Sequence, residues 1–203
     1  MKIVIVDYGM GNLKSVLSVF DYLGYDNVVI SNNPIIIKKA DKLILPGVGN
    51  FAMAMSSLNE FKLVDLIRDL AAIYKVPLLG ICLGMQLMGQ SSTEGGLTKG
   101  LGLVDGVVEN FTRGYDKIPH VGYNQVKISK NSKLFKGISQ DSDYYFTHSF
   151  RMKSEKDIGQ SACSYIDEFV CAFELDNKAG VQFHPELSQA NGIKLLRNFL
   201  ELF

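Results

Sequence analysis

Tryptophan is absent from this 203-residue chain, and cysteine and histidine are scarce, with three residues of each. The cysteines Cys82, Cys163 and Cys171 are odd in number and form no CxxC pair, which argues against a disulfide framework and against a zinc site. Three histidines are too few for a cluster of histidine ligands, so we expect neither a metal nor a cofactor. Cys163 and Cys171 are most simply small buried residues, because free cysteine is often found in protein cores.

An excess of charge of one sign is also missing. Lysine plus arginine and aspartate plus glutamate both number 21, and no long block of like charge interrupts the chain. This balance argues against binding to nucleic acids or membrane surfaces, since both kinds of binding rely on basic patches. No apolar run approaches the ~18 residues of a membrane span. The apolar run IVIV before Asp7 is too short for the core of a signal peptide. We therefore expect a cytoplasmic protein.

The length suits a single domain spanning residues 1–203, and the hydrophobic content of 47% is enough for a sizeable core. In the first half, short apolar segments alternate with amphipathic ones. The expected strands are 2–8, 27–31, 42–46 and 76–82, and the expected helices are 12–23, 63–74 and 84–90. Strands alternating with helices predict an α/β fold, in which a mostly parallel central sheet is covered by helices on both faces as a three-layer sandwich.

The second half is richer in strands. Apolar segments separated by turn-forming residues predict strands at 104–111, 120–128, 143–152, 159–166, 169–176 and 180–186. A last helix is expected at 191–203. Closely spaced strands without intervening helices indicate an additional antiparallel portion of the sheet.

The segment GICLGMQ (80–86) follows one of the apolar strands and holds Cys82 between two glycines. Strand, glycine, x, cysteine, x, glycine, helix is the pattern of a nucleophile elbow with cysteine in place of serine. Gly80 and Gly84 would remove the side chains that collide in such a sharp turn. The same letters also fit a buried thiol at a glycine-rich strand end, and this motif alone does not separate the two interpretations.

A cysteine nucleophile usually needs a basic partner, and His120, His148 and His184 are the candidates. In VQFHPE, Glu186 follows His184 by two residues, and residues i and i+2 of an extended chain face the same way. Glu186 could therefore orient the imidazole as the third member of a triad. Neither His120 nor His148 has a carboxylate so close. The sequence thus predicts Cys82, His184 and Glu186 as catalytic residues, while a structural histidine beside a proline is the competing interpretation.

The segment LPGVGNF (45–51) places Gly47 and Gly49 on either side of Val48. Such a turn can present main-chain amides to an anion, and with the amide of Leu83 it could form an oxyanion hole. Alone, PGVG most often marks a simple turn. The glycine-rich segment 96–106 fails the GxGxxG spacing, and no clear strand precedes it, so we reject a dinucleotide-binding loop there.

Motifs along the whole chain resemble one family. The segments are DYGMGN (7–12), LPGVGNF (45–51), GICLGMQ (80–86), EGGLTKGLGL (94–103), PHVGYNQV (119–126), YYFTHSF (144–150) and GVQFHPE (180–186). Together they resemble the class I, triad-type glutamine amidotransferases, and more closely the glutaminase subunits of imidazole glycerol phosphate synthases. GxCxGxQ and FHPE mark the class, and the opening DYGMGN, PGVG and P-H-x-G-aromatic-N mark the subfamily.

The resemblance implies a flavodoxin-like sheet and hydrolysis of glutamine to glutamate and ammonia. Cys82 would attack the side-chain amide and form a thioester, His184 would transfer protons, and Glu186 would orient His184. The main-chain amides of Val48 and Leu83 would hold the oxyanion. The residues that match glutamine-binding positions of the family are Gly49, Gln86, Glu94, His148 and Ser149.

The resemblance also implies a partner, a separate (β/α)₈-barrel synthase subunit that uses the ammonia in histidine biosynthesis. The positions expected to face it are Asn12, Pro119, His120, Gly122, Tyr123, Asn124, Tyr145 and Leu187. Two of them depart from the family pattern, since Tyr123 replaces the usual tryptophan and Leu187 replaces the usual lysine. These departures leave two pathways open, ordinary drift within a histidine enzyme or a paralogue that supplies ammonia for surface-sugar synthesis.

Two other classes of function fit a cysteine at the end of an α/β sheet. A cysteine hydrolase of the same architecture acting on peptides or aldehyde adducts is disfavoured by Gln86 and Glu94, which match glutamine-binding positions. A non-catalytic regulatory subunit would typically lack the nucleophile or the base, whereas this chain has Cys82, His184 and Glu186.

Overall fold

The computed structural model describes residues 1–111 and 117–203. The strands, β1 to β13 in chain order, are Ile3–Val6, Val28–Ser31, Lys42–Gly47, Leu78–Cys82, Ser91–Ser92, Thr98–Lys99, Val107–Asn110, His120–Gln125, Asp143–His148, Phe150–Lys153, Ser161–Ser164, Glu168–Leu175 and Lys178–Val181. The helices, α1 to α6, are Leu13–Tyr22, Pro34–Ile37, Phe51–Glu60, Val64–Ala72, Leu83–Leu87 and Gln189–Leu202. A single 3₁₀ turn covers Pro185–Leu187 in the part of the chain that the structure describes.

The first half of the main sheet is parallel, in the order β2-β1-β3-β4-β13. Strand β1 shows why this sheet is covered on both faces, because alternate side chains of a strand point to opposite sides. Val4 and Val6 pack in the core that contains α3 and α4, whereas Ile3 and Ile5 pack in the core that contains α1 and α6. The predicted three-layer α/β sandwich is therefore confirmed.

The predicted antiparallel portion is also present. Beyond β13, the strands β12, β10 and β7 follow in antiparallel pairs, and β5 and β6 complete that edge while β11 pairs with β12. Strands β8 and β9 form a separate two-stranded antiparallel sheet. Among the described residues, no helix is both long and apolar enough to cross a membrane.

Two predicted strands differ from the structure. The predicted strand 143–152 is broken at Ser149, so that β9 pairs with β8 while β10 joins the main sheet. The predicted strand 180–186 ends at Val181, and Pro185 begins the 3₁₀ turn. Proline cannot donate to a strand ladder, and its fixed φ suits the first position of a helical turn.

Helices α2 and α3 were not predicted, although both carry start signals. The Asn33 side chain accepts a hydrogen bond from the Ile35 amide at the start of α2, and Pro34 takes the first helical position. The Asn50 side chain accepts from the Met53 amide at the start of α3, over 3.0 Å. Asparagine is among the preferred residues at helix N-caps, so this signal was available in the sequence.

A fully buried arginine anchors strand β10. The Arg151 guanidinium donates two hydrogen bonds to the Asp167 carboxylate, over 3.0 and 2.7 Å, and one to Glu109 Oε1 over 3.0 Å. Glu109 and Asp167 are 41% and 24% exposed, but the guanidinium is fully buried, so loss of either carboxylate would leave a buried charge less well paired. Arg151 therefore fixes the position of β10 next to Phe150, a residue that the site uses.

Candidate active site

Cys82 ends β4, and α5 starts at the next residue. Its φ of 52° and ψ of −110° are strained for a residue with a side chain, at a cost of about 1–3 kcal/mol. A Cβ at Gly84 would lie 1.6 Å from the Leu45 carbonyl oxygen, and one at Gly80 would lie 2.7 Å from the Met85 amide nitrogen. The two glycines therefore permit the turn, and the predicted nucleophile elbow is the observed local geometry.

Cys82 lines a cavity of about 400 Å³. The cavity is lined by Val48, Gly49, Cys82, Leu83, Gln86, Glu94, Pro119, Thr147, His148, Ser149 and Phe150. All the residues predicted to bind substrate or oxyanion lie in that lining. A larger groove of about 690 Å³ lies beside β7, β10 and β12, but neither cysteine nor histidine occurs among its described lining residues. The smaller cavity is therefore the candidate site.

His184 and Glu186 form a buried pair beside Cys82. His184 Nδ1 donates to Glu186 Oε1 over 2.8 Å, and the two side chains are only 5% and 2% exposed. Burial alone would lower the pKa of His184, but interactions with the Cys82 sulfur and the Glu186 carboxylate together raise it to about 10. The raised pKa favours the protonated form of His184, whose Nε2 atom has no hydrogen-bond partner among the described residues. The contact was predicted from an extended chain, yet the structure makes it through the 3₁₀ turn that carries Glu186.

The turn that carries this pair is held against β9. The His184 amide donates to the Tyr145 carbonyl over 2.8 Å. The Ser188 hydroxyl donates to the His184 carbonyl over 2.6 Å and accepts from the Tyr145 amide over 2.9 Å. These bonds fix the position of the His184 main chain relative to the cavity. Ser188 therefore supports the site although it does not line the cavity.

The buried side chain of Tyr8 supports the PGVG turn. The buried Tyr8 hydroxyl donates to the Pro46 carbonyl over 2.8 Å, and a Cβ at Gly47 would lie 2.0 Å from that hydroxyl. Burial raises the pKa of Tyr8 far above its usual value, so the hydroxyl remains a donor. Val48 is 42% exposed at the cavity mouth, and Gly49 adopts a φ of 109° that favours glycine.

Glu94 is fixed at the cavity by the first turn of α3. Its Oε2 atom accepts a hydrogen bond from the Phe51 amide over 2.7 Å. Carboxylates are favoured at helix N-termini, where main-chain amides are unpaired and the helix dipole is positive. Glu94 thus brings a positioned negative charge to a cavity that is otherwise lined by neutral groups and the thiol.

Two polar side chains of the cavity share one main-chain hydrogen-bond acceptor. The Phe150 carbonyl accepts from Gln86 Nε2 over 2.9 Å and from His148 Nδ1 over 2.8 Å. Because a carbonyl oxygen only accepts, the His148 proton must be on Nδ1. His148 Nε2 is then the acceptor for His120 Nδ1, 3.1 Å away in the facing strand. Burial lowers the pKa of His148 to about 3 and that of His120 to about 4, so both rings are neutral near pH 7.

His120 was predicted to face a partner, but the structure gives its side chain another environment. It is 3% exposed and stacks between the Phe146 and Tyr165 rings, with centroid distances of 4.8 and 4.0 Å. Its Nδ1 atom points to His148, and so little of the side chain is exposed that it offers almost no surface to a partner. Among the other predicted interface residues, Tyr123 and Leu187 are 51% and 41% exposed. Asn12 and Pro119 are exposed too, and Gly122, Asn124 and Tyr145 are half-buried.

Gln182 was not singled out from the sequence, although it contacts the predicted nucleophile. It is fully buried, and its Nε2 atom lies 3.6 Å from Cys82 Sγ. Its position between the apolar residues Val181 and Phe183, two residues before His184, was a weak signal. No group of three or more histidine, cysteine, aspartate or glutamate side chains that could hold a metal is present within residues 1–111 and 117–203.

A cysteine on a strained turn at the carboxyl end of a parallel sheet, with a buried histidine–carboxylate pair beside it, is typical of α/β enzymes that use a cysteine nucleophile. The family model for class-I glutamine amidotransferases matches residues 4–202. The chain belongs to that family.

Curated relatives match nearly the whole chain. Imidazole glycerol phosphate synthase subunit HisH 2 of Vibrio vulnificus is 43% identical over 202 residues, covering 99% of this chain and 94% of that protein. Subunit HisH of Aquifex aeolicus is 44% identical over 200 residues, covering 98% and 96%.

Solved structures show the same fold at low sequence identity. A glutamine amidotransferase from Thermotoga maritima has a TM-score of 0.65 at 14% identity, covering 99% of this chain and 84% of that one. The glutaminase domain of Trypanosoma brucei CTPS has a TM-score of 0.65 at 19% identity, covering 98% and 94%.

Proposed function

We propose that this chain is the glutaminase subunit of an imidazole glycerol phosphate synthase, and that residues 1–203 form one glutaminase domain. The observation that carries this proposal is Cys82 on a strained elbow at a 400 Å³ cavity, next to the buried His184–Glu186 pair. Family membership and the full-length relatives support the reaction, which is hydrolysis of L-glutamine to glutamate and ammonia.

The chemistry begins with attack of the Cys82 thiolate on the side-chain amide carbon of glutamine. The carbonyl oxygen becomes an oxyanion, which the main-chain amides of Val48 and Leu83 stabilise. His184 gives its proton to the leaving nitrogen, the C–N bond breaks, and ammonia leaves behind a thioester. Water then attacks the thioester while His184 takes its proton, and the C–S bond breaks to release glutamate. Glu186 keeps the imidazole oriented through both steps.

Glutamine would occupy the cavity lined by Gly49, Gln86, Glu94, His148 and Ser149. The Glu94 carboxylate supplies a negative charge suited to the substrate's ammonium group. His148 is neutral, because burial lowers its pKa to about 3, so it adds no second positive charge near His184. The volume of about 400 Å³ accommodates a single amino acid.

The ammonia would pass to a second subunit. The curated relatives are named as subunits of a synthase, which supports an assembly rather than a free glutaminase. We place the partner, a (β/α)₈-barrel subunit, against the exposed surface around β8 and the 3₁₀ turn. The predicted contacts that remain are Asn12, Pro119, Gly122, Tyr123, Asn124, Tyr145 and Leu187. The complex would act in the cytoplasm.

A paralogous role, ammonia supply for surface-sugar synthesis, is the second candidate. Tyr123 and Leu187 depart from the family pattern at exposed positions, which favours a different partner surface. Vibrio vulnificus strain YJ016 has two such subunits, HisH 1 and HisH 2, which are 45% and 43% identical to this chain. This chain is almost equally similar to the two subunits, so these relatives do not distinguish the two pathways. The identity of the barrel subunit that co-purifies with this chain decides between them. A barrel that keeps the acidic residue facing position 187 would count against the switched pathway.

The function is tested in the co-purified complex with Cys82→Ala. Glutamine-dependent synthesis should be lost, while synthesis from added ammonium should continue, because only the glutaminase step needs the thiol. Cys163→Ala serves as the control, since Cys163 is buried away from the cavity. If the Cys82→Ala complex still used glutamine, the proposal would be wrong. A glutaminase assay on the wild type also distinguishes it from a hydrolase of other substrates or a purely regulatory subunit.

A further inference from the structure

Gln182 lies one residue beyond the end of β13, in the same segment as His184. Its side chain is fully buried, and it makes two hydrogen bonds with residues of the site. Gln182 Nε2 donates to Cys82 Sγ over 3.6 Å, and Gln182 Oε1 accepts from Gln86 Nε2 over 2.9 Å. A primary amide buried at a nucleophile has to be explained, because burying an unsatisfied amide is costly.

The direction of this amide is fixed by its neighbours. The Phe150 carbonyl can only accept, so the group of Gln86 that meets it must be the amide nitrogen. The second hydrogen of that nitrogen meets Gln182 at 2.9 Å, so the Gln182 atom facing Gln86 must be the oxygen. The remaining end of Gln182, its NH₂ group, is thereby turned toward Cys82 Sγ. The sequence of bonds from Phe150 through Gln86 and Gln182 permits only this orientation.

We propose that Gln182 is a further catalytic residue, whose amide donates a hydrogen bond to the Cys82 sulfur and favours its thiolate form. This inference rests on the proposed function in taking Cys82 as the nucleophile. A hydrogen bond to a charged acceptor is stronger than one to the neutral group, so the donor stabilises thiolate over thiol. Together with the contact between Sγ and the Thr147 carbonyl oxygen over 4.0 Å, the bond holds the sulfur at the cavity. Gln182 therefore holds the sulfur, while His184 exchanges protons with the leaving nitrogen and the attacking water.

Gln86 then has a second role. Gln86 lines the cavity, while its amide nitrogen is committed to Phe150 and Gln182. It is a positioning residue for Gln182, and only its oxygen is left to receive a donor from the substrate. Substrate binding at Gln86 is thus connected to the nucleophile through a single intervening side chain.

Two variants separate these contacts. Gln182→Glu keeps an oxygen acceptor for Gln86 but places a second acceptor against the sulfur. Gln182→Met has nearly the same length and can make neither bond. The exposed Gln125 provides a matched control as Gln125→Met.

The readout is alkylation of Cys82 by iodoacetamide in the isolated chain, followed residue by residue with mass spectrometry. Cys163 and Cys171 serve as slow internal references, because burial raises the pKa of both thiols, that of Cys163 to about 12. At pH 7 we expect alkylation of Cys82 to slow about tenfold or more in both Gln182 variants, with the larger effect in Gln182→Glu. Above about pH 9.5 ordinary thiols are largely ionised, so the rates should converge with the wild type there. Gln125→Met should match the wild type at every pH.

A measurement on the wild-type chain does not depend on how the variants fold. The side-chain amide resonance of Gln182 in a ¹⁵N-labelled sample should move when Cys82 is alkylated and when its thiol is titrated. The inference would be overturned if both folded variants were alkylated at the wild-type rate. It would also be overturned if the Gln182 resonance did not move when Cys82 is alkylated or titrated. If the wild type hydrolyses glutamine and the Gln182 variants are unchanged, the inference fails while the proposed function stands. If Cys82 responds to Gln182 but glutamine is not hydrolysed, the proposed function fails and the contact stands.

Discussion

The Tyr123 hydroxyl donates a hydrogen bond of 2.9 Å to the main-chain carbonyl of Leu187. At these two positions the resemblance to the glutaminase subunits leads us to expect tryptophan and lysine instead, and the structure joins the two positions directly. The bond connects β8 to the 3₁₀ turn that also carries Glu186. A tryptophan at position 123 would have no hydroxyl for this contact. Tyr123 therefore adds a hydrogen bond between the exposed strand β8 and the turn that carries Glu186.

Tyr123→Phe should lower the free energy of unfolding by about 0.5–1.5 kcal/mol, the usual net value of one hydrogen bond. Leu187→Lys should leave stability nearly unchanged, since the side chain at 187 is 41% exposed and only its carbonyl accepts the bond. Urea unfolding of both variants checks this pair. Equal stability of Tyr123→Phe and wild type would mean that the contact contributes nothing.

Glu186→Gln should reduce kcat for glutamine about 100-fold or more, since loss of the orienting carboxylate costs up to about 10⁴-fold in other triads. The carboxylate is one of the groups that raise the pKa of His184 to about 10, so the variant imidazole should lose its proton at a lower pH. Steady-state kinetics and NMR titration of His184 measure both effects. Glu201→Gln, on the exposed side of α6, should behave as the wild type. An unchanged kcat in Glu186→Gln would remove Glu186 from the triad.

The His120–His148 pair should make the protein less stable in acid. Both folded-state pKa values are depressed, to about 4 and about 3, below the unfolded value of about 6.5. The unfolded state therefore binds more protons in this window, and stability is lost as the pH falls from about 6.5 toward 4. For His120 alone the loss between pH 7 and 4.5 is about 2 kcal/mol.

His120→Phe tests this pH dependence, because phenylalanine can occupy the space between Phe146 and Tyr165 without titrating. The variant should be less stable at pH 7, since His148 Nε2 loses its donor, but its stability should fall less between pH 7 and 4.5. Urea unfolding at the two pH values measures the difference. Equal losses in variant and wild type would show that His120 does not control the acid response.

Gly84→Ala should be far more damaging than a glycine substitution elsewhere. Its Cβ would lie 1.6 Å from the Leu45 carbonyl oxygen, so α5 would have to move away from β3. We expect a loss of more than about 3 kcal/mol or failure to fold, as for severe overpacking. Gly24→Ala is the control, because φ is 82° but no atom lies within 4 Å, and it should cost about 1–2 kcal/mol. Similar stability of the two variants would contradict the role given to the elbow.

The isolated chain should have weak glutaminase activity that rises when the partner and its ligand bind. The Val48 amide lies on an exposed turn at the end of β3, and we expect this turn to rearrange when the partner binds, so that the oxyanion hole is completed. Comparing kcat of the chain alone and in the co-purified complex measures this activation. High activity of the chain alone would refute it.

The sequence predicted most of the parallel sheet because buried strands appear as short apolar runs between amphipathic helices. The prediction failed where one continuous strand-like segment pairs with two different sheets. Residues 143–152 keep a strand-like composition throughout, and only tertiary pairing reveals that Ser149 separates two sheets. Helices α2 and α3 were not predicted, because hydrophobic periodicity is weak in such short segments, although the N-caps Asn33 and Asn50 mark where both begin.

Motifs and chain order predicted the triad and the residues that line the cavity, since each belongs to a short local pattern. Gln182 and the burial of His120 were not predictable in the same way. Both depend on contacts between distant segments, Gln182 with Gln86 and His120 with His148, and no local spacing encodes such contacts. The roles assigned to the triad stay predictions until the variants are measured.

The shared acceptor at Phe150 has a consequence for how this site can change over time. Its oxygen belongs to the backbone, so no replacement of the Phe150 side chain can delete it. Side-chain substitutions can alter which groups reach that oxygen, but only an insertion or deletion near Ser149 would move the oxygen itself along β10. Such a change would also displace Arg151 from Asp167 and Glu109. The arrangement of polar groups around the thiol therefore depends on the number of residues in this short segment. It does not depend on the identity of any single side chain in it.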